Sequence, residues 1–170
     1  MKAEFKEACK QLLNLIDKSK GSFISVKDEK IKFNQEKTYS QTELNEFELA
    51  HKTKLPEDYK YFLMNVGISS LYQREFTNGV QFRKIEEIER YSKELFEDMD
   101  KLFPQLFLIG HLSGGEEIGF NLAKEMTENF LVFFPDEEIE DWPENEGREW
   151  PTFEDWLINV VKHNGEKMIM

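Results

Sequence analysis

The amino-acid sequence predicts an α+β fold, in which helices pack on one face of an antiparallel sheet. Apolar residues recur at helical spacing in several separate segments, most of them bounded by a capping residue or a glycine. Strand-like segments are concentrated after Pro104, where three follow one another. Because a helical stripe and an apolar sheet face must both be buried, the two kinds of segment are expected to share one core.

The first predicted helix falls within residues 1–20, where apolar residues keep an i, i+3, i+4, i+7 spacing. Its stripe consists of Phe5, Ala8, Cys9, Leu12, Leu13 and Ile16. Cys9 lies inside the stripe, so we expect it to pack as a small apolar residue with an unreactive thiol. Gly21 ends this unit, and residues 22–34 alternate enough to favour a short strand or hairpin.

Two more helices are predicted in succession. Ser40 and Glu43 have the spacing of a capping box, which begins a helix that runs to about Lys52. Pro56 suits the first turn of the next helix, and Gly67 suits its left-handed end. The apolar face of this helix consists of Tyr59, Phe62, Leu63 and Val66. Two helices joined by a short link and facing one core are the simplest arrangement.

The remaining chain predicts a strand, a helix, a meander and a last helix. Residues 79–85 favour a strand that leads into a helix with Ile85, Ile88, Leu95, Phe96 and Met99 on one side. Strand candidates follow at 106–112, 117–122 and 129–134, and a Gly-Gly pair between the first two favours a tight hairpin. Thr152 is expected to cap a helix whose stripe is Phe153, Trp156, Leu157, Val160 and Val161.

Length and composition exclude several classes of protein. The chain has 170 residues, 39% of them apolar and 14% aromatic, which predicts one globular domain over 1–170, with 1–20 as an N-terminal helical extension. A single cysteine excludes an internal disulfide framework and a cysteine-based zinc site. The longest apolar run, at 130–134, is far too short to cross a membrane, and no signal-peptide segment is present. We therefore expect a cytoplasmic protein.

Acidic residues outnumber basic residues by 34 to 22, which gives a formal net charge of −12. Such a surface repels the phosphate backbone of nucleic acids and attracts a basic partner. The alternative is that the acidity serves solubility alone.

Residues 135–150 are the densest charged feature, and Trp142 and Trp150 interrupt them. Their acidic residues are Asp136, Glu137, Glu138, Glu140, Asp141, Glu144, Glu146 and Glu149, against one Arg148. One interpretation is a solvated loop pinned by its tryptophans. A second interpretation is a calcium-binding loop, but this segment lacks the glycine that such a loop requires. The third interpretation is a recognition surface for Lys and Arg, with Trp142 as an aromatic anchor.

No catalytic or cofactor motif stands out, so we predict neither an enzyme nor a metal site. The three histidines are more than fifty residues apart, and no serine lies in a GxSxG motif. The glycines of the SGGEEIG stretch are followed by Glu116 and Glu117, which would repel a phosphate. A tight turn explains these glycines better.

Three stretches in chain order resemble the signature of the SUKH superfamily, the SMI/KNR-like domains. Residues 43–67 match it at Glu48, Leu55, Pro56, Tyr59, Lys60, Phe62, Leu63 and Gly67. Residues 106–122 are similar to its Ile-Gly strand, glycine turn and following strand, and residues 152–157 are similar to its closing helix. The resemblance covers about residues 40–161. It departs at Asn121, where many members have aspartate, and after the first stretch, which lacks further glycines.

The resemblance implies a non-enzymatic α+β module. In bacteria such domains are typically immunity proteins that neutralise polymorphic toxins, often nucleases. Our hypothesis is therefore an immunity protein that binds a basic toxin domain through an acidic surface. The predicted partner-binding residues are Glu116, Glu117, Asp136, Glu137, Glu138, Glu140, Asp141, Trp142, Glu144 and Glu146. The alternatives are a non-enzymatic regulatory or scaffold module, which related eukaryotic domains exemplify, and, third, an enzyme.

Overall fold

The computed structural model describes residues 1–95, 103–104, 106–121, 131–133 and 151–168. Its helices are α1 (Ala3–Ser19), α2 (Gln41–His51), α3 (Glu57–Asn65), α4 (Ile85–Leu95) and α5 (Phe153–Lys162). Its strands are β1 (Phe23–Val26), β2 (Glu29–Lys37), β3 (Ile68–Gln73), β4 (Val80–Phe82), β5 (Leu106–His111), β6 (Glu117–Asn121) and β7 (Leu131–Phe133). The α+β prediction is confirmed.

The described strands form one antiparallel sheet in chain order, in which each strand pairs with the next. The predicted hairpin appears as β1–β2, and the predicted meander appears as β5, β6 and β7. Strand β3 was not predicted. Its pairing with β2 shifts register twice, and Tyr72 has a positive φ of 57°, so its residues do not alternate between apolar and polar.

The predicted helix caps are confirmed. The Glu43 N–H donates to Ser40 Oγ at 3.3 Å, and the Ser40 N–H donates to Glu43 Oε2 at 2.8 Å, which completes the capping box. Gly67 has a φ of +72°, and its N–H donates to the Phe62 carbonyl at 2.8 Å. A Cβ on Gly67 would lie 2.1 Å from the Lys37 carbonyl oxygen, so the tight approach of β2 requires glycine here.

Helices α1, α3 and α5 form a layer that covers one face of the sheet, and Phe153 at the start of α5 lies at the centre of this layer. Phe153 is fully buried. Its ring centroid lies 5.1–6.2 Å from those of Phe5, Tyr59, Phe62, Phe82, Phe120 and Trp156. Tilted and edge-on pairs of this kind stabilise a core beyond the area they bury. The two family-like stretches on α3 and α5 therefore meet in one aromatic cluster.

Helix α1 packs into the same core. Its buried residues are Phe5, Ala8, Cys9, Leu12 and Ser19. The Lys2 N–H donates to Glu154 Oε2 at 2.9 Å, and the Lys2 ammonium pairs with Asp155, so the start of α1 is tied to the first turn of α5. Residues 1–20 thus share the core of the domain, and their standing as an extension remains a prediction.

Helix α4 lies along the edge of β5. Strand β4 is only three residues long, and where it ends the Arg83 N–H donates to the Ile109 carbonyl at 2.8 Å. The Leu108 N–H then donates to the Oγ of Ser92, a fully buried residue, at 3.1 Å. The Ser92 hydroxyl therefore satisfies a backbone N–H of β5 at a point where β4 no longer pairs with it.

Candidate functional site

Only two of the predicted partner-binding residues lie in the described part of the chain. Glu116 is exposed on the turn between β5 and β6, where the Leu112 N–H donates to the Glu116 carbonyl at 2.7 Å. Glu117 is the first residue of β6, and its side chain is only 13% exposed. The others lie outside the described residues, namely Asp136, Glu137, Glu138, Glu140, Asp141, Trp142, Glu144 and Glu146.

The negative charge is distributed unevenly along the sequence. Thirteen of the 34 acidic residues and three of the 22 basic residues lie outside the described ranges, most of the acidic ones in 135–150. The described residues therefore carry 21 acidic and 19 basic side chains, a formal charge of −2. The predicted acidic surface thus depends on the sequence of 135–150, whereas the described body is close to neutral.

The residues that match the family signature hold the helices together. Glu48 Oε1 accepts a hydrogen bond from the Leu55 N–H at 2.8 Å and lies 3.2 Å from Lys60 Nζ, so it braces the link between α2 and α3. Asp58, which precedes the matched Tyr59, accepts a hydrogen bond from the Glu154 N–H at 2.9 Å through its carboxylate, and this bond joins α3 to the first turn of α5. These contacts join α2, α3 and α5 and therefore stabilise the scaffold.

The sheet face opposite α1, α3 and α5 carries a polar row, defined as Asn34, Ser70, Gln81, His111 and Glu117. These five residues lie directly opposite one another on β2, β3, β4, β5 and β6. Cross-strand partners project to the same face, so their side chains lie side by side. Residues that alternate with them are buried against the helices, namely Phe33, Leu71, Val80, Phe82 and Ile118.

A cavity of about 230 Å³ opens along the polar row. Its polar lining includes Asn34, Ser70, Gln81 and His111, together with Glu36, Arg83 and Glu87. Among the described residues, the side chains of Asn34, Ser70 and Gln81 find no hydrogen-bond partner. Amide and hydroxyl groups can donate or accept, so these three side chains can bind a polar group from outside.

Arg83 closes one end of the polar row and is held by its neighbours. Its Nη2 lies 3.3 Å from Glu117 Oε1, and its guanidinium carbon lies 3.1 Å from the centroid of the Tyr91 ring. The Tyr91 hydroxyl donates to the same Glu117 oxygen at 2.7 Å. Glu117 therefore orients both Arg83 and Tyr91, and its predicted contact with a partner remains a prediction.

His111 is an uncharged member of the polar row. Its Nδ1 lies 3.4 Å from Arg83 Nη2. A guanidinium can only donate, so Nδ1 accepts, and the proton of the neutral imidazole is placed on Nε2. Burial lowers the pKa of His111, and the positive charge of Arg83 lowers it further against the opposing effect of Glu117. The ring is therefore neutral at pH 7.

The described residues hold no cluster of three or more side chains suited to a metal ion. Burial raises the pKa of the Cys9 thiol to about 12, which makes it a poor nucleophile, as its place in the α1 stripe predicts. His51 lies 3.5 Å from Glu89, and His163 Nδ1 lies 2.9 Å from the Asn159 carbonyl oxygen. None of the described helices combines the length and apolar character needed to cross a bilayer.

The polar row was not predicted from the sequence. Its members are single polar residues on five strands, and their alignment depends on a register that shifts between β2 and β3 and between β5 and β6. The available signal was the alternation at 80–82, where Gln81 separates two apolar residues. That alternation indicates an outward face, but it does not indicate which residues of the neighbouring strands lie beside it.

Comparison with known proteins agrees with the described architecture. A family model described as the SMI1 / KNR4 family (SUKH-1) matches residues 38–159. The chain is also 36% identical over 160 residues to a protein named immunity protein RhsIB, from Dickeya dadantii (strain 3937), and the match covers 93% of this chain and 95% of that protein. The family match begins just before the capping box of α2 and ends within α5. The chain therefore belongs to the SMI1/KNR4 family (SUKH-1).

Proposed function

We propose that this chain is an immunity protein, which binds a toxin and neutralises it. The observation that carries the proposal is the 36% identity to a protein named as an immunity protein, over 95% of that protein's length. A match of this extent covers the scaffold and the surfaces built on it, not one shared motif. An inhibitor acts by occupying a surface, so the proposal assigns no catalytic role to any residue.

We extend the proposal to the chemistry of the contact. The acidic segment 135–150 with its Trp142, together with Glu116 and Glu117 at the β5–β6 turn, is proposed to bind a basic toxin domain in the cytoplasm. Charge complementarity speeds encounter and selects the partner, while a buried tryptophan supplies much of the binding energy. A nuclease toxin would fit, because its basic channel for nucleic acid also attracts carboxylates.

Co-expression tests the function directly. The probe is the toxin domain encoded beside the gene for this chain, produced in bacteria with and without the chain. We expect survival only when both are present, and we expect the two proteins to copurify. An enzymatically inactive toxin variant, which should also copurify, controls for toxicity. Cell death despite abundant, folded protein would overturn the proposal.

The proposed role of the acidic segment 135–150 is tested by a variant in which Glu137, Glu138, Glu140 and Asp141 are all replaced with Ser. The expected result is a slower association with the toxin and an unchanged melting temperature, measured by surface plasmon resonance and thermal unfolding. A matched control makes the same change in net charge with Ser at four exposed positions, Glu4, Glu7, Glu46 and Glu75. Equal association rates for the two variants would show that the position of the charge does not matter.

A further inference from the structure

We propose that the cavity along the polar row receives an arginine side chain of the toxin. The inference rests on the proposed function and adds the position and the chemistry of one contact. It concerns the described sheet, whereas the acidic segment 135–150 lies outside the described residues.

Three polar side chains that line the cavity are available to a partner, because Asn34 is exposed and Ser70 and Gln81 are half-buried. Asn34, Ser70 and Gln81 stand in register on three adjacent strands and line the cavity, and their side chains find no hydrogen-bond partner among the described residues. Neighbouring strands are roughly 4.8 Å apart, so the three groups are spread along one wall. The planar fork of a guanidinium has five donors and can meet several such acceptors at once, which a lysine ammonium does less well.

The cavity also has a net negative charge. Arg83 is paired with Glu117, and Lys84 is paired with Glu36. Glu87 is exposed, lies on the first turn of α4 and lines the cavity. Among the described residues it forms no ion pair within 4.0 Å, and the cation that its charge acts on, Lys84, is already paired with Glu36. The cavity region therefore has an excess of one negative charge, which a single guanidinium would balance.

The same features argue against other occupants. An anion would approach Glu36 and Glu87, and the positive charge of Arg83 is already offset by its pair. An apolar side chain would bury Ser70 and Gln81 without partners, at a cost of about 1–3 kcal/mol for each group. A basic, multidentate group is the one that satisfies both the charge and the hydrogen-bonding groups.

The cavity is also pre-organised. Its floor is a hydrogen-bonded sheet, and Arg83 at one end is fixed by the Tyr91 ring and by Glu117. Residues held in place before binding lose little conformational freedom when a partner arrives. The sheet backbone and Arg83 therefore add little ordering cost when a partner side chain enters the cavity.

The experiment measures the affinity of the enzymatically inactive toxin domain for variants of this chain by titration calorimetry. Glu87→Gln removes the unpaired carboxylate, and Gln81→Met removes an acceptor at similar volume. We expect Kd to rise about 10- to 100-fold for the first and about 3- to 10-fold for the second. The matched controls are Glu75→Gln, an exposed residue on the β3–β4 turn, and Gln73→Met, a half-buried residue of β3 outside the cavity lining. Neither control should change Kd more than about 2-fold.

A double-mutant cycle then identifies the partner side chain. Each surface arginine of the toxin is replaced with Ala, and one of these substitutions should lose most of its effect in the Glu87→Gln background. Two results would overturn this inference and leave the proposed function intact. In the first, the toxin binds the wild type and both cavity variants with the same Kd. In the second, Glu87 couples to a lysine of the toxin and not to an arginine. A wild type that neither protects nor binds would overturn the proposed function and the inference with it.

Discussion

The two faces of the sheet have different roles although they alternate along the same strands. On β4, Val80 and Phe82 are buried against the helices, whereas Gln81 between them lies in the polar row. The inner face meets the aromatic cluster around Phe153, while the outer face carries hydrogen-bonding groups beside a cavity. The difference shows that burial on one face can fix the fold while the other face is left to vary in chemistry.

The family signature belongs to the first of these roles. Tyr59 and Phe62 enter the aromatic cluster, and Glu48 and Lys60 pair across the α2–α3 link. These residues stabilise the scaffold of this chain, and none of them lies in the polar row. Family membership therefore identifies the scaffold and says little about what a given member binds.

The largest expected effect is on the inner face. Phe153→Ala should lower the free energy of unfolding by about 3–5 kcal/mol, because it leaves a cavity among six packed aromatic rings. Urea unfolding measures the change. The matched control is Phe76→Ala, whose ring is 90% exposed and which should change stability by less than about 0.5 kcal/mol. Equal losses for the two variants would refute the contrast between the core and the surface.

The next effect concerns the ion pair at the end of the polar row. Glu117→Gln should cost about 1–3 kcal/mol, because it leaves the guanidinium of Arg83, whose side chain is 18% exposed, without a carboxylate. The control is Asp17→Asn, which breaks a pair with Lys20 in which both side chains are at least 75% exposed. That change should cost less than about 0.5 kcal/mol. A negligible effect of Glu117→Gln would mean that the outer face contributes no stability through this pair.

Local chemistry made most of the helices and caps predictable. The stripe of α1, the capping box at Ser40 and the glycine at 67 each depend on residues close in sequence, and all three are confirmed. The predicted α4 face is confirmed at Ile85 and Ile88, which are buried, whereas Phe96 and Met99 lie outside the described residues.

Long-range pairing limited the prediction of the site. Strand β3 contains Ser69, Ser70 and a positive-φ Tyr72, so it lacks the alternation by which strands are recognised. The pair of Arg83 with Glu117 joins residues 34 positions apart through the registers of two strand pairs. No local pattern encodes such a pair. Glu117 was predicted to contact a partner from its charge alone, because the sequence does not reveal that the fold pairs it with Arg83.

The pH dependence of the free energy of unfolding tests whether His111, on the outer face, is neutral in the folded protein. The pKa of His111 in the folded protein is lowered by burial and then by Arg83, whereas in the unfolded chain it should be about 6.5. Between these two pKa values the unfolded chain binds more protons, so the free energy of unfolding should fall as the pH falls below about 6.5. Glu117 and Tyr91 also lie beside Arg83, but the pKa of Tyr91 is raised to about 12, far above this range.

The measurement compares the wild type with His111→Gln in urea at pH 7.0 and pH 5.5. The wild type should lose more stability than the variant between these two pH values, and the difference isolates the histidine from other groups. Carboxylates whose pKa values are lowered in the folded protein, such as Asp155 and Glu89, contribute mainly below this range. An identical pH dependence for both proteins would show that His111 titrates normally.

The smallest expected effect is on the outer face of β4, where it can be compared with the inner face of the same strand. Gln81→Met should change the free energy of unfolding by no more than about 0.5 kcal/mol, because Gln81 is only half-buried and its side chain contacts no described hydrogen-bond partner. Its neighbour Phe82 is 6% exposed and lies 4.6 Å, centroid to centroid, from Phe62, so Phe82→Ala should cost about 3–5 kcal/mol. Thermal and urea unfolding of the two variants side by side measure both values. If Gln81→Met is as destabilising as Phe82→Ala, the polar row is part of the scaffold, and its residues are not free to serve recognition.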